Sequence, residues 1–342
     1  MASKPGFEAE ERALLRGQQI DYQQLASMQG WFPVAIDTST GDLCWRHVGL
    51  HRFLESFFLD TLNQQNREQR QLCQTPLSLL SEQVQDLTQV GPTAFIFHVS
   101  RCGSTLLTQM LASLPQCIVM SEPPVIDAFF RYHHAHHDLP GAVSIFRHLI
   151  AALGQKRHME ERHFFIKFDS WHLPWVDFVR SAYPDIPIVF LYREPAAVLA
   201  SHRRQRGPQM IPGLLNTSRL KPDAQHMLPG DFDLYAASVL SSMFRSADEH
   251  ALTANLILLN YPQLPGILWE ELLALFQIEC EDREMQKLKA RSGLHSKNRH
   301  ISFTGDPQSA RLQTHGMELQ YMQHCTEIYS KLESLRQKVK IC

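Results

Sequence analysis

Between residues 91 and 276 the chain alternates strand-like and helix-like segments. "TAFIFHVS", "CIVMS", "FFIKFD", "IPIVFLY" and "LILLNY" are separated by "LLTQMLASL", "AVSIFRHLIAAL", "PWVDFVRSAY", "AAVLASHRR" and similar stretches. The strand segments are apolar at consecutive positions, so both faces must be covered, which is the pattern of a parallel sheet packed between helices. This predicts a three-layer αβα domain over residues 91–342. The first ninety residues have a different texture. "WFPVAID" and "LCWRHV" flank "TSTGD" as a hairpin would, and Phe53, Phe57, Phe58 and Leu62 are spaced as on one helix face. "CQTPLSLLSEQVQDLTQVGP" follows and reads as a connector with a short helix. A smaller α+β region over residues 1–90 is therefore expected, with a boundary near Gly91 and a possible role in acceptor binding or in interactions.

A length of 342 residues with 44% hydrophobic content supports a sizeable core. Lysine and arginine (33) nearly balance aspartate and glutamate (35), so the net field gives no reason to expect a nucleic-acid partner. No apolar run reaches the ~18–20 residues that span a bilayer, and "MASKPGFEAEERALL" lacks the marks of a secretory signal. Seven cysteines without a C-x-x-C pair suit free thiols. Together these features predict a cytoplasmic protein with no transmembrane segment.

The first strand of the alternating region runs into "HVSRCGSTLL". In a parallel sheet, the loop at a strand's carboxyl end feeds a helix whose free N–H groups and dipole favour an anion. Aligned with G-x-x-x-x-G-K-[ST], Gly103 takes the second glycine and Thr105 the hydroxyl. His98 falls on the first glycine and Ser104 on the lysine. An ATP-dependent P-loop kinase-like transferase is therefore the weaker reading. What is kept is a turn glycine, two hydroxyls, a helix N-terminus and an arginine, a set suited to an anion held without a metal.

"RCGSTLL" resembles the 5′-phosphosulfate loop of the sulfotransferases that use 3′-phosphoadenosine 5′-phosphosulfate. Arg101, Cys102, Gly103, Ser104 and Thr105 lie at the motif positions, Cys102 standing in the usual serine place. "IVFLYREPAAVLASHRR" resembles the family's 3′-phosphate motif through Arg193 and Ser201, eight residues apart. "LILLNYPQLPG" resembles a third segment in which a tyrosine, here Tyr261, lies near the adenine; Pro262 and Gln263 depart from its acidic pair. "SGLHSKNRHISF" would supply a closing tail with Ser296 and Lys297.

The resemblance implies a P-loop NTPase-like sulfotransferase fold and in-line sulfuryl transfer to a hydroxyl or amine acceptor, with adenosine 3′,5′-bisphosphate as product and no metal. It is closest to the bacterial-type and tyrosyl-protein-like branch with a carboxylate base. Glu122 would be that base, although capping of the helix after it is an alternative, and Asp169 and His172 remain further candidates. Lys167 and Arg101 would balance charge on the transferring group. A non-catalytic bisphosphate-binding module is a third reading.

Two local clusters stay open. His133, His134, His136 and His137 lack the spacing of a metal motif, and Arg203, Arg204 and Arg206 would meet the donor, an anionic acceptor or solvent. Neither the acceptor nor the oligomeric state is legible.

Overall fold

The structure, a computed structural model, describes residues 9–136, 139–215, 220, 222, 230–295, 298–302, 314 and 316–338. Four strands form the N-terminal sheet: β1 (Gln18–Gln19), β2 (Trp31–Ile36), β3 (Asp42–His47) and β4 (Gln71–Pro76), in the order β1-β4-β3-β2. β2 and β3 are the expected antiparallel hairpin, pairing Trp31 with His47 and Ile36 with Leu43.

Two expectations for this region are corrected. Helix forms only at Phe58–Asn63, because Phe53 instead stacks on Phe58 (centroids 4.8 Å apart) and meets Phe32 edge-on. The connector contains β4, which pairs antiparallel with β3 along Asp42–Arg46.

The second sheet contains β5 (Pro92–His98), β6 (Cys117–Ser121), β7 (His163–Lys167), β8 (Ile188–Tyr192) and β9 (Ile257–Asn260), in the order β6-β7-β5-β8-β9. It is all-parallel and flanked by helices, the α/β class read from the sequence. β6 and β8 are buried throughout, which explains their unbroken apolar sequences. The sequence reading passed over the Phe232–His250 helix, whose buried residues include Leu234, Val239, Leu240, Met243 and Phe244. Its many serines and alanines mask an apolar face.

The chain divides into two compact units, Met1–Thr93 with Thr108–Lys167, and Ala94–Leu107 with Phe168–Cys342. In the first, the buried Gln155 accepts from Gly30 N–H (2.8 Å) and donates to the Trp31 carbonyl (2.6 Å). The N-terminal hairpin is thereby fixed to the end of the Ala142–Leu153 helix. Among the described residues no helix is long and apolar enough to cross a membrane.

Candidate active site

In the second unit, β5 and β8 lie side by side, pairing Phe95 with Ile188 and His98 with Leu191. The loops leaving their carboxyl ends therefore meet, at the kind of position where open α/β sheets bind ligands. The loop after β5 turns sharply: Ser100 (φ 69°), Arg101 (φ 50°) and Gly103 (φ 85°) all have left-handed backbone. For the two non-glycine residues this costs on the order of 1–3 kcal/mol each. Such turns point successive N–H groups into a concavity that suits an anion.

His98, which breaks the nucleotide-loop pattern, has its own function here. Its Nδ1 accepts from Ser100 N–H at 2.9 Å. Ser104 opens the following helix, Ser104–Ala112, and both Ser104 and Thr105 are buried. Cys102 is fully buried, its Sγ 3.4 Å from the Leu191 carbonyl, so it ties the loop to β8 with a small, largely apolar side chain.

Arg193 follows β8 directly. Its Nη1 lies 3.4 Å from the Arg101 carbonyl, and its guanidinium sits 4.2 Å from the Tyr261 ring centroid, a cation–π contact. Arg101 Nη2 donates to the Gln205 carbonyl at 2.6 Å. Burial, and then the nearby Arg204, push the Arg101 guanidinium below its usual pKa; both effects are relieved by an anion. Glu194 caps the Pro195–Arg204 helix by accepting from Ala196 and Ala197 N–H (3.0 and 2.7 Å), which gives the acid beside Arg193 a structural purpose. Ser201 lies on that helix, half-buried.

The basic run beyond Ser201 is largely neutralised within the chain. Arg203 pairs with Asp233 (3.0 Å) and Glu318 (2.5 Å), and Arg206 pairs with Asp233.

Tyr261 also closes on the loop glycine. A Cβ on Gly103 would stand 2.7 Å from Leu264 Cδ1 and 2.9 Å from Tyr261 Cδ2. Together with the left-handed φ, which costs about 1–2 kcal/mol for an L-residue, this predicts that Gly103→Ala lowers both thermal stability and nucleotide affinity. Scanning calorimetry and a binding titration check the two effects, and an unchanged variant would contradict the close packing. Gln263, where the resembled motif has an acid, accepts from Asn260 N–H at 2.9 Å.

Several residues that sequence reading missed hold these strand ends. Gln209 Nε2 donates to Ser100 Oγ (3.1 Å) and Ser170 Oγ (3.2 Å). Tyr192 OH donates to Glu333 Oε1 (2.5 Å), and Asn260 Nδ2 donates to Tyr329 OH (2.8 Å). Both acceptors lie on the Gly316–Lys338 helix. Tyr192 and Asn260 immediately precede Arg193 and Tyr261. Burial, and then the Glu333 bond, raise the Tyr192 pKa well above the usual phenol range. Burial alone would raise Glu333, but the bonds from Arg336 and Tyr192 outweigh it and its carboxyl titrates below its usual value.

Glu122 and Lys167 lie in the first unit. Lys167 ends β7, with its side chain fully buried, and its Nζ is 2.9 Å from Glu122 Oε1 and 4.7 Å from the Phe57 ring centroid. Glu122 has left-handed backbone (φ 56°), and its N–H donates to the Lys167 carbonyl at 2.8 Å. Pro123 occupies the N-cap position of the Pro124–Ala135 helix, and the Glu122 carboxylate is paired with Lys167.

In the second unit, Asp169 and His172 are buried, with His172 Nδ1 3.9 Å from Asp169 Oδ2. Ser296, Lys297 and His137 lie outside the described residues. Among the described residues no group of three or more His, Cys, Asp or Glu is placed to hold a metal.

Residues 92–211, which include both phosphate-loop segments, match the model of the sulfotransferase family. Over this segment the chain is similar to that family. The family match therefore spans β5 to the turn at Pro208–Met210, and Tyr261 and the Gly316–Lys338 helix lie outside it. No curated protein matches the chain. Among solved structures, the sulfotransferase STF1 from Mycobacterium tuberculosis H37Rv (type 1 form) is similar at 15% identity and a TM-score of 0.39, covering 63% of this chain and 77% of that one.

Proposed function

We propose that the protein transfers a sulfuryl group from 3′-phosphoadenosine 5′-phosphosulfate to a hydroxyl-bearing acceptor. The observation that carries this reading is the turn at Ser100–Gly103, a nest of left-handed residues set beside Arg193 within the sulfotransferase-family segment.

The residues present suit the donor. The loop's N–H groups, with Ser104 and Thr105, would receive the 5′-phosphosulfate, and Arg101 would neutralise it. Arg193 and Ser201 would take the 3′-phosphate, and Tyr261 would face the adenine. Ser296 and Lys297 remain candidates for the closing tail.

Transfer forms a bond from the acceptor oxygen to sulfur and breaks the bond from sulfur to the 5′-phosphate oxygen, which leaves with the electron pair. The acceptor proton goes to Glu122, and Lys167 offsets negative charge on the transferring group. Nothing in these roles calls for a metal ion.

Calorimetry with adenosine 3′,5′-bisphosphate and with ATP, each with and without magnesium, tests the reading. The expected result is tight, metal-independent binding of the bisphosphate. Preference for magnesium-ATP would replace the reading with a kinase-like one.

A further inference from the structure

The N-terminal part of the first unit gathers arginines that have no carboxylate partner among the described residues. Arg46, in β3, is fully buried. Its Nε donates to Gln65 Oε1 and its Nη2 to the Leu62 carbonyl, both at 2.7 Å, while the buried Nη1 has no hydrogen-bond partner among the described residues. Arg70, 8% exposed, donates from Nε and Nη2 to the Gln65 carbonyl at 3.1 and 2.9 Å. Burial, and then repulsion from Arg70, lower the Arg46 pKa to about 10.

All these acceptors are neutral. Some other buried or half-buried arginines have carboxylates, Arg157 with Glu161, Arg131 with Glu11 and Arg203 with Glu318, whereas Arg180 is bonded to backbone carbonyls. Burying a guanidinium without a counter-charge is costly, and Arg46 is fully buried with one nitrogen unpartnered, so an anion near this cluster would offset part of that cost.

A cleft of about 400 Å³ opens at this cluster, lined by Arg16, Arg67 and Arg70 together with the side-chain amides of Asn63, Gln64 and Asn66. Gln65, which accepts from Arg46 and Arg70, is also part of its wall. Among the described residues no aspartate or glutamate lines it. Its volume falls in the range of small-molecule sites, roughly 300–1,000 Å³. Guanidinium forks and amide N–H groups match the oxygens of a tetrahedral anion.

We propose that this cleft is a binding site for an oxyanion, the phosphate or sulfate group of a small molecule, separate from the β5–β8 loops. Arg16 and Arg67 supply the accessible guanidinium groups, Arg70 supplies fixed positive charge in the wall, and Arg46 reaches the wall through its bond to Gln65. Binding there compensates charge that the fold leaves unbalanced.

Phenylglyoxal labelling of the full chain, mapped by peptide mass spectrometry, tests the site locally. Inorganic phosphate, inorganic sulfate and glucose 6-phosphate are compared with chloride at matched ionic strength, and the exposed Arg283 serves as reference. The expected result is several-fold slower labelling of Arg16 and Arg67 with an oxyanion present and no change at Arg283. Arg67→Gln, an exposed substitution, then removes most of the protection at Arg16. Protection at lower concentration by the sugar phosphate identifies an ester site, and equal protection by the inorganic ions identifies a free-anion site. Unchanged labelling in every arm, or equal slowing at Arg283, overturns the proposal.

Discussion

Glu122→Gln lowers turnover by ~10²–10⁴-fold, the range for losing a general base, and leaves affinity for adenosine 3′,5′-bisphosphate unchanged. Glutamine keeps the shape of the side chain and an oxygen facing Lys167 but takes no proton. The same substitution removes the counter-charge of a fully buried ammonium. Breaking a buried pair costs up to about 3–5 kcal/mol, and less here because the Glu122 side chain is 21% exposed and water screens part of the charge.

Stability and chemistry must therefore be read separately. The double variant Glu122→Gln/Lys167→Met removes the stranded charge, so it recovers thermal stability over Glu122→Gln while remaining inactive. Turnover is measured with labelled donor and any hydroxyl acceptor that the unaltered protein uses. Near-normal turnover in folded Glu122→Gln would move the base to Asp169 or His172.

Arg193→Ala weakens adenosine 3′,5′-bisphosphate binding by ~10²–10⁴-fold. In the proposed site Arg193 would make two charge-assisted hydrogen bonds to the 3′-phosphate, roughly 1.5–3 kcal/mol each, and every 1.4 kcal/mol corresponds to about a factor of ten. Adenosine 5′-monophosphate, which lacks the 3′-phosphate, should bind the variant and the unaltered protein equally. Arg203→Ala, which removes an arginine already paired with Asp233 and Glu318, is the control and should leave bisphosphate affinity nearly intact. Equal losses in the two variants would mean that net charge alone, and no specific contact, is responsible.

The parallel sheet was legible because fully buried strands write themselves as apolar runs, and β5 to β9 all fell where those runs predicted. The hairpin β2–β3 was legible from its turn. Phe53 and Phe57 misled because a four-residue aromatic spacing also arises when an irregular segment plugs a cluster, as Phe53 does against Phe32 and Phe58. β4 escaped notice because only alternate residues in its second half are buried and glutamine occupies two of its positions.

At the site, the motif residues Arg101, Gly103 and Arg193 could be read locally and do meet. Gln209 and Glu333 could not, since each acts across a long sequence separation, 109 residues from Ser100 and 141 from Tyr192. Nor does any residue type announce the left-handed backbone at Ser100, Arg101 and Glu122. That backbone is set by surroundings, as in the Glu122 N–H bond to the Lys167 carbonyl.

The bond from Tyr192 to Glu333 also bears on the order in which the molecule is completed. Synthesis runs from the amino end, so the whole family-matched segment 92–211 is made well before the carboxylate that receives the Tyr192 hydroxyl. Until the Gly316–Lys338 helix docks, the strand carrying Arg193 ends in a phenol without its folded partner. A shortened chain that stops before this helix would keep the proposed donor-binding residues from Arg101 to Tyr261 and lack the brace behind Arg193 and Tyr261. Fragments cut to the family boundary are thus expected to be poor surrogates for the whole chain, and a C-terminal fusion that strains this last helix is expected to weaken the proposed nucleotide binding.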